Sequence, residues 1–95
     1  MEKSNKKDVY VRAINSYGTE MQKVVACEEM SELQKELCKS LRGRKNREAI
    51  VEEIADVEIM LEQLKLMYDA IQDVGKVKSQ KIARLAIRLG MREED

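Results

Sequence analysis

Residues 26–37 and 50–61 carry one pattern twice. Ala26, Met30, Leu33 and Leu37 recur at spacings of four, three and four, and a shift of 24 residues lays them on Ile50, Ile54, Val57 and Leu61. That is the period of an α-helix with a single apolar stripe, and nothing alternates as a strand would. The same shift lays Glu28, Glu29 and Glu32 on Glu52, Glu53 and Asp56. The chain therefore repeats a helix that carries an acid cluster beside its stripe.

Local chemistry punctuates four helices. The chain has 95 residues, no proline and only four glycines, which suits helices throughout. Asp8 is the expected cap of a first helix through VYVRAINSY, which Gly18 ends. Thr19 and Gln22 fit a capping box for a second helix, which runs to about Leu41 and stops at Gly43. Asn46 is the expected cap of a third, running to about Val74 before Gly75. Ser79 would cap the last, QKIARLAIRL, ended by Gly90. The predicted fold is all-α: a four-helix, bundle-like single domain over 1–95, frayed over 1–7 and 91–95.

The third stripe continues through Leu64, Tyr68 and Ile71, and the last helix offers Ile82, Leu85, Ala86 and Leu89. Val51, Ala55, Ile59 and Met60 make the third helix apolar nearly all round between 50 and 61. A helix of that kind must be surrounded, and a chain this short is marginal alone. A homodimer or homotetramer is expected to complete the fold.

If the two repeated helices pack antiparallel through their stripes, the acid-bearing flanks meet. Glu29 level with Asp56 and Glu32 level with Glu53 share one midpoint, 42.5, at the Arg42-Gly43 turn. Four carboxylates then converge beside the core. Two like charges about 5 Å apart at an effective dielectric of about 20 repel by roughly 3 kcal/mol, so a compensating cation is expected. Carboxylate oxygens without histidine or thiolate favour hard ions: Mg²⁺ or Mn²⁺ first, then Ca²⁺.

Composition removes other chemistries. There is no histidine, hence no Ser-His-Asp triad, Cys-His pair or histidine-ligated zinc. Cys27 and Cys38 stand eleven apart, which is neither a CxxC redox motif nor a zinc knuckle. The 18 basic and 18 acidic residues cancel, and the three tyrosines are the only aromatics, which argues against a nucleic-acid partner. MEKSNKKDVY is charged with no apolar run behind it, so a cytoplasmic protein without a membrane segment is expected. RGRKNR places Arg42, Arg44, Lys45 and Arg47 at the turn, where they suit phosphates and equally the dipole of a helix end.

EExxE at 28–32 and EExxD at 52–56, each on a helix, resemble the motifs of the all-α nucleoside triphosphate pyrophosphohydrolases, the MazG-like superfamily, in its small stand-alone form. The resemblance spans about residues 17–71, with YGTEMQ ahead of the first acids and NREAIVEEIADVEIMLEQL around the second. It implies a MazG-type fold and hydrolysis of a (deoxy)nucleoside triphosphate to the monophosphate and pyrophosphate. It implies Mg²⁺ held by Glu29, Glu32, Glu53 and Asp56, with Glu28 and Glu52 orienting water. The family commonly has an asparagine seven residues after its last aspartate, where this chain has Gln63, whose longer amide is expected to reach a substrate phosphate. The rival expectation is a non-enzymatic helical dimeric interaction module, in which the acids are a solvated flank.

Overall fold

Residues 5–91 are described by the computed structural model, and four helices account for nearly all of them. They are α1 (Lys6–Tyr17), α2 (Thr19–Leu41), α3 (Arg47–Met67) and α4 (Ile71–Arg88). The all-α expectation therefore holds among the described residues. Of the ends expected to fray, 1–4 and 92–95 lie outside those residues, while Lys6 and Lys7 open α1.

Each boundary has a local cause. Asn5, not Asp8, caps α1: its Oδ1 accepts from the Asp8 backbone N–H at 2.9 Å, and Asp8 sits in the first turn. Gly18 is at once the end of α1 and the cap of α2, with φ 92° and ψ 151°, a region only glycine occupies freely. Thr19 is already inside α2 and makes no side-chain cap, so the expected capping box does not form. At the end of α2 the Gly43 N–H bonds to Ser40 O and the Arg44 N–H to Lys39 O, the paired bonds of a Schellman turn.

The third helix stops earlier than Gly75 implied. The Asp69 N–H bonds to Leu66 O and the Ala70 N–H to Lys65 O, another Schellman turn, with Asp69 at φ 50°. Aspartate tolerates that left-handed position better than most residues because its short side chain bonds locally. Gly75 and Ser79 then lie inside α4 as ordinary helical residues, so neither ends nor caps a helix.

Helices α2 and α3 pack antiparallel, with α1 against both and α4 against α3 alone. Gln22 Nε2 donates to Gln63 Oε1 at 2.7 Å across the seam. These two residues share the midpoint 42.5, so the register is the one read from the acids.

The phase of the stripes differs from expectation. The seam is lined on α2 by Gln22, Ala26, Glu29, Leu33 and Glu36, and on α3 by Glu53, Asp56, Met60 and Gln63. Among the described residues only Ala26 (2% exposed) and Met60 (5%) are buried apolar residues, and Gln22 (5%) and Gln63 (3%) are buried with them. Met30, Leu37, Ile54, Leu61 and Tyr68, expected in the core, are exposed. On α4, Ile82, Leu85 and Leu89 are exposed as well. Tyr68 instead lies under Lys23, whose Nζ is 4.8 Å from the ring centre. The polar line thus faces inward and much of the apolar stripe faces out.

Candidate functional site: an acidic cluster in the α2/α3 seam

Three carboxylates meet where the register brings the repeated motifs level. Glu29 on α2 and Glu53 and Asp56 on α3 each offer one oxygen, and these oxygens lie within 4.8 Å of one another. All three side chains are half-buried. One oxygen of Glu53, Oε2, is fully enclosed and has no hydrogen-bond partner. An enclosed carboxylate oxygen with nothing to accept from is costly unless a cation or a proton satisfies it.

The electrostatics follow the geometry. Burial pushes the Glu29 carboxyl above its ordinary value, and neighbouring Asp56, Glu53 and Glu32 push the same way. Burial likewise raises Glu53, with Asp56 and then Glu32 adding to it. Among the described residues each salt bridge joins residues three apart on one helix, and none reaches these three carboxylates. The acids therefore repel one another across a tight, partly desolvated space.

Glu32 stands at the edge of this group. It is close enough to raise both Glu29 and Glu53, but its exposed carboxylate also lies 3.8 Å from Lys35 Nζ. The four-acid convergence is thus three acids in mutual reach and one beside them. Glu28 and Glu52 are exposed on the outer sides of their helices, and Glu52 adds to the field on Glu53.

The basic turn borders the site along the hairpin. Arg44, Lys45 and Arg47 line an open depression of about 1120 Å³ at the start of α3, while Arg42 is exposed at the turn itself. Arg47 is six residues from Glu53, about 9 Å of helix rise. Gln63 does not face this space. Its amide is committed to the buried bond with Gln22, with its Nε2 against Met60 Sδ at 3.8 Å. Its expected contact with a phosphate is therefore corrected to a role in the seam.

One polar contact escaped the sequence reading. Asn46 is the N-cap residue of α3, as expected, but its side chain makes no cap bond; its Nδ2 donates both to Glu36 Oε1 at 2.8 Å and to Glu36 O at 2.9 Å, tying the start of α3 to α2. Together with Lys39 at 3.0 Å, this holds the Glu36 carboxyl below its ordinary value. The spacing of Glu36 and Asn46 about the turn was the available signal: both lie near the midpoint that sets the register.

No family model, curated protein or solved structure matches the chain. No helix among the described residues is long and apolar enough to cross a membrane.

Proposed function

We propose that the chain is a Mg²⁺-dependent nucleoside triphosphate pyrophosphohydrolase of MazG-like type that works as a homodimer or homotetramer. One observation carries the reading: three carboxylates within 4.8 Å of one another, one with an enclosed oxygen that lacks any partner. That donor set fits a hard divalent cation, for it offers only oxygens and concentrates negative charge without a basic neighbour.

Glu29, Glu53 and Asp56 would hold the ion, with Glu32 in reach as a fourth ligand. Bound there, Mg²⁺ (or Mn²⁺) supplies charge neutralisation for a triphosphate and acidifies a coordinated water. The residues of the chain do the rest. Arg42, Arg44, Lys45 and Arg47 offer charge to the phosphate oxygens at the open end of the hairpin. Glu28 and Glu52, outside the seam, orient water. In the reaction, water forms a bond to the α-phosphorus, the α–β anhydride bond breaks, and pyrophosphate leaves. A carboxylate left free of the ion would take the proton.

The test is pyrophosphate release from a panel of canonical and modified NTPs and dNTPs, with Mg²⁺, with EDTA and with Glu53→Gln. Release that needs Mg²⁺ and disappears in the variant is expected. No release from any substrate, by a folded protein whose melting is indifferent to Mg²⁺, overturns the reading. The exposed apolar stripe would then favour the interaction module, since it provides a docking face that needs no metal.

A further inference from the structure

Helix α4 leaves the hairpin at a wedge. It packs against α3 alone, buries none of its residues, and follows α3 after a three-residue turn, 68–70. The wedge holds a groove of about 640 Å³. Glu58, Leu61, Glu62 and Leu64 of α3 form one wall, and Val74 and Lys78 of α4 form the other. The radius of gyration is 16.9 Å, against about 12 Å for a compact domain of this length, which fits an outstretched helix.

The two walls belong to stripes that match in reverse. On α3 the stripe is Ile50, Ile54, Val57, Leu61 and Tyr68, and on α4 it is Ile71, Lys78, Ile82, Leu85 and Leu89. Paired from Tyr68 with Ile71 out to Ile50 with Leu89, every pair shares the midpoint 69.5. That midpoint falls between Asp69 and Ala70, inside the turn that joins the helices. A connection this short suits two antiparallel helices lying level about it. Of the apolar members only Ile50 and Val57 are half-buried, and the rest are exposed. Lys78, the one charged member, shares the groove with Glu58 and Glu62, so narrowing it draws unlike charges together.

We infer that α4 is a hinged lid, which turns about Asp69–Ala70 and closes antiparallel along the exposed stripe of α3 in its own chain. Both helices already line the groove at the hinge end, and closure carries the same register on toward Ile50 and Leu89. Asp69, at φ 50°, and its neighbours absorb the rotation. A stripe built only to meet another molecule need not cross its match at the connecting turn. Open, as here, both stripes are available. Closed, each covers the other, so the hinge decides whether this face of the hairpin can be docked upon. The acid cluster takes no part, and the lid does not depend on what that cluster binds.

Thiol cross-linking in the full-length chain tests the closure. Cys27 and Cys38, both exposed, are first replaced by serine. Val51→Cys with Ala86→Cys then puts one thiol on each helix, nearly level and on the flank where the closed helices meet. In the control, Ile87→Cys takes the place of Ala86→Cys, as nearly level but on the opposite side of α4 from its stripe. These are small changes at exposed or half-buried positions, and circular dichroism checks that the helices are kept. A short bis-maleimide should link the first pair within one chain, leaving the 11.0 kDa of a single copy, at a rate independent of protein concentration. The control should link at least about fivefold more slowly, because its thiol points away from α3. A product of twice the mass would mean that a second copy covers the stripe, and it overturns the lid. So does a first pair that links no faster than the control, or not at all. Pyrophosphate release is not the readout, so failure of the lid and failure of the catalytic reading stay distinct.

Discussion

The buried bond between Gln22 and Gln63 should behave as an all-or-none pair. Replacing Gln63 by leucine removes a 2.7 Å hydrogen bond and leaves the Gln22 amide enclosed without an acceptor. A buried polar group stranded in this way costs about 1–3 kcal/mol. Gln22→Leu strands the partner and should cost about the same. The double variant strands nothing, and it adds two apolar side chains beside the buried Ala26 and Met60. It should fall within about 1 kcal/mol of the wild type, on either side. The coupling read from the cycle is then about 2 kcal/mol or more, well beyond the ~0.5 kcal/mol scatter of independent sites. Urea denaturation followed by circular dichroism, at one fixed protein concentration, gives all four stabilities. Singles within about 0.5 kcal/mol of wild type, or a double equal to the sum of the singles, would refute the reasoning.

Three further outcomes are expected. Glu36, held below its ordinary value near 4.5 by Asn46 and Lys39, contributes stability above that pH and loses it as pH falls through the folded value. Asn46→Ala should lessen that acid-side loss in a melting series from pH 7 to 3. In metal-free buffer the raised Glu29 and Glu53 act with opposite sign: the folded state keeps protons the unfolded chain has released, so stability falls as pH rises above about 4.5 until both are ionised. A melting temperature that climbs with pH through that window in Asn46→Ala, where the Glu36 contribution is reduced, would contradict it. At the turns, Gly18→Ala should cost about 1–3 kcal/mol, since φ 92° with ψ 151° admits no side chain without strain. Asp69→Gly, at φ 50°, should stabilise by up to about 1 kcal/mol because it removes the left-handed penalty; a loss of stability would mean that the carboxylate does something at that turn.

Much of this was legible in the residues, for identifiable reasons. The helical class followed from periodicity and the absence of proline. The α2/α3 register followed from pairing like motifs about the turn, and Gln22 and Gln63 obey the same midpoint without having been used to find it. Two things were hidden. Gly75 looked like a helix end because glycine so often is one, yet the left-handed position fell to Asp69 and the glycine was absorbed into α4. The phase of the seam was hidden because apolar residues were assigned to the interior. Here a ladder of glutamines and acids occupies that position, and the apolar stripe lies at its flank, where a single chain leaves it exposed. Pattern alone cannot distinguish a stripe facing its own hairpin from one facing a second molecule.

The repeat and the antiparallel register, taken together, impose a local two-fold axis on the hairpin. Residues 24 apart are equivalent, and level residues share the midpoint 42.5, so the axis passes between positions 30 and 31 of α2 and between 54 and 55 of α3. Rotation about it carries Glu29 into Glu53 and Glu32 into Asp56. The acid site therefore straddles an axis of pseudo-symmetry, and each half of the hairpin presents one copy of the same ligand pair. Beside the acids, one of the departures from this symmetry is a basic residue. Lys35, 3.8 Å from Glu32, maps onto Ile59, so Asp56 has no lysine one turn along its helix. One lysine thereby separates the acid that stands apart from the three that converge, and Lys35→Ile would leave the fourth as free to turn inward as its symmetry mate.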